Sequence, residues 1–147
     1  MADLSRFIPP QDETYAEALA EIRAGRKTSH WMWWIFPQVT GLGVSDRSRF
    51  YGLSGLGEAR DYLQHPLLGP RLLEATRALL AHRGRDAADI LGEVDAKKLR
   101  SCATLFDRVE GAPPEFQALL DAFFGGEPDP RTLSLLEPQA AGFRAAP

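Results

Sequence analysis

The chain has 147 residues, of which 44% are hydrophobic and 25% charged, so a disordered or collagen-like protein is excluded. Its net charge of -3 offers no overall positive field for a phosphate backbone, so general nucleic-acid binding is not expected. Cys102 is the single cysteine, which excludes an intramolecular disulfide and a cysteine-based zinc site.

The sequence gives no sign of a membrane or export signal. It lacks any run of about 18 apolar residues, and its first residues do not have the composition of a signal peptide. We therefore expect no membrane span and a cytoplasmic location, which also agrees with the single cysteine.

The hydrophobic composition predicts an all-α fold. Leu and Ala supply 20 residues each, whereas Val and Ile, which favour strands, supply 8 together. Apolar spacing and capping residues predict helices over about 14–24, 54–64, 70–82, 86–91, 95–110 and 114–124, with a last turn over 129–136. Residues 6–11 are expected to form an extended arm because they contain two prolines. We expect one helical domain over 1–137 and a mobile tail over 138–147.

All three tryptophans lie within four residues, at Trp31, Trp33 and Trp34. A helix built from the run Trp31 to Phe36 is apolar on every side, which predicts a central, Trp-rich helix. Most of these side chains are expected in the core. An indole N–H needs a partner when buried, so at least one tryptophan is expected to face a cavity, where it could stack on a ring.

The start of this helix holds a candidate acid or base. If Ser29 caps the helix, His30 occupies its first turn, where the helix dipole favours the neutral ring. His30 is then a candidate general acid or base. The alternative is a structural histidine bonded to a backbone carbonyl. Lys27, with two nearby arginines, could form an anion cradle here or simply a solvated basic turn.

A second polar cluster follows at 95–101. Asp95 is interpreted as a helix cap or as an acid/base residue, and Lys98 as an anion-binding or catalytic residue. Ser101 is spaced to share a helix face with Lys98 and equally with Lys97, so either pair could meet a substrate or each other. The histidines are too scattered for a metal motif, and Gly41-Leu42-Gly43 matches no phosphate or dinucleotide fingerprint. No metal and no cofactor are expected.

The run Ser-His-Trp-Met-Trp-Trp-Ile-Phe-Pro-Gln at 29–38, followed by Gly-Leu-Gly at 41–43, resembles the DUF1810 family of uncharacterised proteins. The similarity extends to about Leu136, with Cys102 at a position where serine is common. The resemblance implies a mainly α-helical fold and no established reaction. Members are sometimes labelled calpastatin, but that inhibitor is a disordered repeat protein, and the label does not suit this sequence.

Two functions fit these residues. The first is binding, and possible hydrolysis, of a small anionic, ring-containing molecule such as a nucleotide or an ADP-ribose derivative. Its catalytic candidates are His30, Asp95 and Lys98, and its binding candidates are Lys27, Ser29, Trp33, Trp34, Gln38, Tyr51 and Ser101. The second is a protein-interaction module in which Trp33, Trp34 and Tyr51 line a groove for a partner peptide or helix.

Overall fold

The computed structural model describes the backbone of residues 2–145 and the side chains of residues 2–137. Within this range the chain forms nine α-helices, one 3₁₀ turn and no strand beyond an isolated bridge, which confirms the all-α prediction. The helices are α1 (Ile8–Ala24), α2 (Met32–Ile35), α3 (Asp46–Phe50), α4 (Leu56–Gln64), α5 (Leu68–Leu80), α6 (Ala87–Leu91), α7 (Glu93–Asp107), α8 (Glu115–Phe124) and α9 (Pro130–Ala145).

The N-terminal segment differs from the predicted extended arm. A 3₁₀ turn over Ser5–Phe7 leads directly into α1, whose first turn contains Pro9 and Pro10. Prolines are accepted there because the first-turn amides have no carbonyl partner within the helix. The predicted end of α1 is confirmed: Gly25 adopts a left-handed conformation with φ 75°, and its amide donates to the carbonyl of Ile22.

The core is organised around α7, which packs against α4, α6, α8 and α9. Its buried face includes Leu99, Cys102 and Phe106, and the Phe106 ring lies 5.5 Å from that of Tyr62 on α4 and 5.3 Å from that of Phe116 on α8. Burial raises the pKa of the Cys102 thiol well above its usual value, which keeps the thiol protonated inside this core.

The tryptophan segment is less helical than predicted. The helix α2 is a single turn that starts at Met32. Ser29 does not cap it, because the Ser29 hydroxyl donates to the Glu17 carboxylate instead. Trp31 is 1% exposed and Phe36 0%, whereas the two tryptophans at 33 and 34 are only partly buried. The segment therefore contributes both to the core and to the surface.

The 38–53 segment is held by a local backbone bridge. The amide of Thr40 donates to the Leu53 carbonyl, and the Leu53 amide donates to the Gln38 carbonyl, both at 2.8 Å. Gly52 lies inside this bridge, where a Cβ atom would stand 2.7 Å from the carbonyl oxygen of Ser48. Glycine is needed at this position because the backbone approaches it so closely.

The C-terminal helix begins at an aspartate. The Oδ2 atom of Asp129 accepts from the amide of Thr132 at 3.0 Å and from its hydroxyl at 2.5 Å, so Asp129 caps α9 ahead of Pro130. The backbone of α9 continues past the predicted end near Leu136. The whole of the predicted mobile tail, 138–147, lies outside the residues with described side chains, and its mobility stays a prediction. No helix in the described range has the length and apolar character needed to cross a bilayer.

Candidate functional site

A cleft of about 430 Å³ lies between the 38–52 segment, the first turns of α7 and the start of α9. Most of its residues come from three separate parts of the chain, which only the fold brings together. They are Trp33, Gln38, Val39, Leu42, Gly43, Ser48, Tyr51, Gly52, Val94, Lys97, Lys98, Arg100, Ser101, Asp129 and Arg131.

The cleft is locally basic although the protein is acidic. Its lining includes four basic side chains, from Lys97, Lys98, Arg100 and Arg131, and one acidic side chain, from Asp129. Arg131 donates to the Leu42 carbonyl, and Arg100 donates to the carbonyls of Glu127 and Pro128. Arg100 also pairs at 3.8 Å with the Glu127 carboxylate, whose side chain is 80% exposed, so screening by solvent keeps this pair weak. The side chains that line the cleft therefore carry more positive than negative charge, in a chain whose net charge is -3.

Contacts with Trp33 and Asp95 hold Lys98 at the edge of the cleft. Its Nζ atom lies 4.0 Å from the centroid of the Trp33 ring and 3.1 Å from the Oδ1 atom of Asp95. The other carboxylate oxygen of Asp95 lies 2.9 Å from the Nζ atom of Lys27, which also donates to the Ser29 carbonyl at 2.6 Å. Both lysines thus share one counter-ion, and Lys98 is the one that reaches the cleft.

The three tryptophans differ in how their indole N–H groups are satisfied. Trp31 donates to the Glu21 carboxylate at 3.0 Å, and Trp34 donates to the Thr14 hydroxyl at 2.8 Å. Trp33 has no acceptor among residues 2–137, and it is the tryptophan that lines the cleft. The Lys98 ammonium group lies over the Trp33 ring, 4.0 Å from its centroid, and stacking of a ligand on this tryptophan stays a prediction.

Several other polar groups of the cleft also lack partners within the described part of the chain. These are the side-chain amide of Gln38, the hydroxyl of Tyr51 and the ammonium group of Lys97. Ser101 is different, because its hydroxyl lies 3.2 Å from the Lys97 carbonyl oxygen and 3.1 Å from the Oδ2 atom of Asp129. The cleft therefore combines two fixed groups, Ser101 and the Oδ2 atom of Asp129, with a set of unpaired donors and acceptors.

Of the ten residues proposed from sequence, five line the cleft: Trp33, Gln38, Tyr51, Lys98 and Ser101. Asp95 does not line the cleft, but it pairs with Lys98, which does. Its expected capping role is wrong, because α7 begins at Glu93 after Gly92 and Asp95 makes no capping hydrogen bond. Glycine can occupy an N-cap position, and the Asp95 carboxylate is held instead by two ammonium groups.

The other four residues, Lys27, Ser29, His30 and Trp34, lie outside the cleft. Lys27 is 9% exposed and bound to Asp95, and Ser29 bonds to Glu17. His30 is exposed and precedes α2, so it does not occupy the first helical turn that the sequence predicted for it. His30 and Trp34 line a second groove that shares only Tyr51 with the cleft.

Three cleft residues, Asp129, Arg131 and Arg100, are not among the candidates proposed from sequence. A signal for Asp129 exists in the local sequence, because Asp-Pro-Arg-Thr is a typical helix start with the acidic residue as cap. Its position beside Ser101 depends on the packing of α9 against α7, which local patterns do not encode. Among the described side chains, no three His, Cys, Asp or Glu residues lie close enough to hold a metal ion.

Comparison with known proteins agrees with this architecture. The family model for DUF1810, a protein of unknown function, matches residues 1–136. The chain belongs to this family. The crystal structure of a conserved hypothetical protein, Rv1873 from Mycobacterium tuberculosis, is similar, with 48% sequence identity and a TM-score of 0.89. The match covers 92% of this chain and 96% of that one. A search of curated proteins gives no significant match.

Proposed function

We propose that this DUF1810 protein binds a small molecule carrying an anionic group and a flat ring, such as a nucleotide or an ADP-ribose derivative. The observation that carries the proposal is the basic cleft with Trp33 on its wall and an unpaired indole N–H. The cleft volume of about 430 Å³ falls within the range of small-molecule sites, roughly 300–1,000 Å³.

The anionic group is assigned to the two lysines of α7. Lys97 is exposed and its ammonium group has no partner among the described side chains, while Lys98 shares Asp95 with Lys27. A phosphate or carboxylate near these ammonium groups gains charge-assisted hydrogen bonds. Trp33 can donate a further hydrogen bond from its indole N–H.

The ring of the ligand is assigned to the aromatic wall. Lys98 covers one face of Trp33, so a ligand ring would use the uncovered face or lie against Tyr51. Leu42 and Val94 supply apolar surface beside this wall. An anion at one end and stacking at the other would fix the ligand in one orientation.

The proposal is limited to binding and includes no hydrolytic step. Both carboxylate oxygens of Asp95 are held by ammonium groups, those of Lys27 and Lys98, and Asp95 does not line the cleft. His30 lines the other groove and cannot reach a ligand bound between Trp33 and Lys98 without a change in structure. His30 and Asp95 therefore have no direct role in the binding proposed for this cleft.

Isothermal titration with AMP, ADP-ribose and inorganic pyrophosphate tests the proposal. At least one probe should bind to the wild-type protein. The Lys98→Met variant should weaken binding by about 5- to 50-fold, since the side-chain stem remains while a charge-assisted bond is lost. Arg83→Met removes an equivalent surface charge outside the cleft and should leave affinity unchanged. Equal weakening by both variants, or binding by none of the probes, would contradict the proposal.

A second candidate function concerns the groove that contains His30. Phe50 is 57% exposed there and lies edge-to-face on Tyr51, with ring centroids 4.8 Å apart, next to Trp34. Exposed aromatic side chains of this kind favour a partner peptide. Pull-down with wild-type protein and with Phe50→Ser should recover a partner only in the first case, and identical recovery would reject this function.

A further inference from the structure

We propose that Asp129 makes the cleft selective for ligands that carry a hydroxyl group close to the anion, as ribose 5-phosphate and other sugar phosphates do. The inference rests on the proposed function and goes beyond it, because it names the group that a bound ligand must present. It assigns the Oδ1 atom of Asp129 as the acceptor of that hydroxyl.

The two oxygens of Asp129 are used differently. The Oδ2 atom faces three donors, namely the hydroxyl of Ser101 at 3.1 Å and the amide and hydroxyl of Thr132 at 3.0 and 2.5 Å. The Oδ1 atom has no partner among the described residues, and Asp129 lines the cleft. One carboxylate oxygen therefore fixes the side chain, and the other is left to accept a hydrogen bond from outside the protein.

Hydrogen bonds hold Asp129 through both its backbone and its side chain. Its amide donates to the Thr104 hydroxyl at 2.8 Å, so both the backbone and the side chain are tied to α7 and α9. A preorganised acceptor discriminates more strongly than a mobile one, because no ordering is needed when the ligand arrives.

The electrostatics of the cleft select the class of donor. An anionic group placed at Asp129 would be repelled by its carboxylate, and an ammonium group would be repelled by the four basic side chains around the cleft. A neutral hydroxyl meets neither repulsion, and it donates to the free oxygen. The anion of the ligand then lies towards Lys97 and Lys98, and its sugar hydroxyl lies towards Asp129.

The chain offers a conservative variant for the test. In Asp129→Asn the amide oxygen can still accept from Thr132, because asparagine is as good an N-cap as aspartate. The amide nitrogen then occupies the free position, so an acceptor becomes a donor while the fold is kept. Asp121→Asn, on the exposed side of α8, removes the same charge outside the cleft and serves as the control.

The experiment compares hydroxyl-bearing probes with their deoxy counterparts. Affinities are measured for AMP, 2′-deoxy-AMP and 3′-deoxy-AMP, for ribose 5-phosphate and 2-deoxyribose 5-phosphate, and for inorganic pyrophosphate, with EDTA present. Wild-type protein and Asp121→Asn should prefer a hydroxyl form over a matching deoxy form by about 10- to 100-fold. Asp129→Asn should reduce this ratio to near one while binding pyrophosphate at least as tightly as the wild type.

The outcomes separate the two proposals. If pyrophosphate or a phosphate probe binds but wild-type protein does not distinguish hydroxyl from deoxy forms, the role of Asp129 is wrong and the proposed function stands. The role is also wrong if Asp129→Asn keeps the preference, or if binding appears only when Mg²⁺ replaces EDTA, since the carboxylate would then hold a metal ion. If no probe binds at all, the proposed function fails, and the role of Asp129 fails with it.

Discussion

The ammonium group of Lys98 lies 4.0 Å from the centroid of the Trp33 ring and 3.1 Å from the Oδ1 atom of Asp95. The tryptophan run and the charged cluster, more than 60 residues apart in sequence, therefore form one structural unit. This unit makes Asp95 a positioning residue for the cleft, because it acts through Lys98 and does not line the cleft itself.

Asp95→Asn tests how much this shared counter-ion stabilises the fold. The variant leaves Lys27, whose side chain is 9% exposed, without its counter-ion, so stability should fall by about 2 to 3 kcal/mol in urea unfolding. Asp12→Asn removes a partner from the Arg71 pair, whose carboxylate side chain is 59% exposed, and should cost less than about 0.5 kcal/mol. Equal losses of stability in the two variants would show that the Asp95 bridge contributes no more than an exposed ion pair.

The tryptophans should differ in their contribution to stability. Trp31→Ala or Phe36→Ala removes a fully buried ring and should cost about 3 to 5 kcal/mol through the cavity left behind. Trp33→Ala should cost less than about 1.5 kcal/mol, because its ring lines an open cleft. Chemical denaturation of the three variants measures this difference, and a loss at Trp33 as large as at Trp31 would place the Trp33 ring in the core.

Local patterns were sufficient for most of the fold. The ends of α1 and α8 follow from Gly25 and Gly125, both left-handed, and the apolar face of α7 follows from helical spacing. The predicted start of α2 at Ser29 is wrong because glutamates of α1 accept hydrogen bonds from the Ser29 hydroxyl and from the amides of residues 28 and 29. Capping rules consider only the residues next to a helix end and do not include such contacts between helices. Asp95 was misassigned for a similar reason, since its partner Lys27 lies 68 residues away.

The cleft itself was only half predictable. Trp33, Lys98 and Ser101 were found because each belongs to a conspicuous local cluster. Asp129 and Arg131 belong to α9, and their part in the cleft depends on how that helix docks against α7. Such long-range placement is decided by packing of the whole core, so no short sequence pattern specifies it.

Gly52→Ala should destabilise the protein through the backbone bridge that shapes the cleft. The new Cβ atom would stand 2.7 Å from the Ser48 carbonyl oxygen and 2.9 Å from the Thr40 Cα atom, so the main chain has to move, at a cost of about 1 to 3 kcal/mol. Gly57→Ala is the matched control on α4, where a Cβ meets nothing within 4 Å and alanine favours the helix. Thermal unfolding should show a lower midpoint for the first variant and an unchanged or higher one for the second. The reverse order would contradict the tight approach at Gly52.

Acid unfolding should depend on Glu21. Its Oε1 atom accepts from the amides of Thr28 and Ser29 and from the Trp31 indole, at 2.7, 2.9 and 3.0 Å. Burial alone would raise the pKa of this carboxyl, but these hydrogen bonds outweigh it and lower the pKa from 4.5 to about 2. Because the folded-state pKa is depressed, the ionised group stabilises the fold above pH 4.5, and this contribution is lost as the pH falls from 4.5 towards 2.

Glu21→Gln removes that titration while keeping one acceptor oxygen. The variant should be less stable than wild type by about 1 to 3 kcal/mol at pH 7, and its deficit should shrink as the pH falls below 4.5. Glu13→Gln, on the exposed side of α1, should follow the wild-type curve. Urea unfolding at several pH values between 7 and 2.5 measures the deficit. A deficit that stays constant over this range would mean that Glu21 does not anchor the tryptophan segment through its charge.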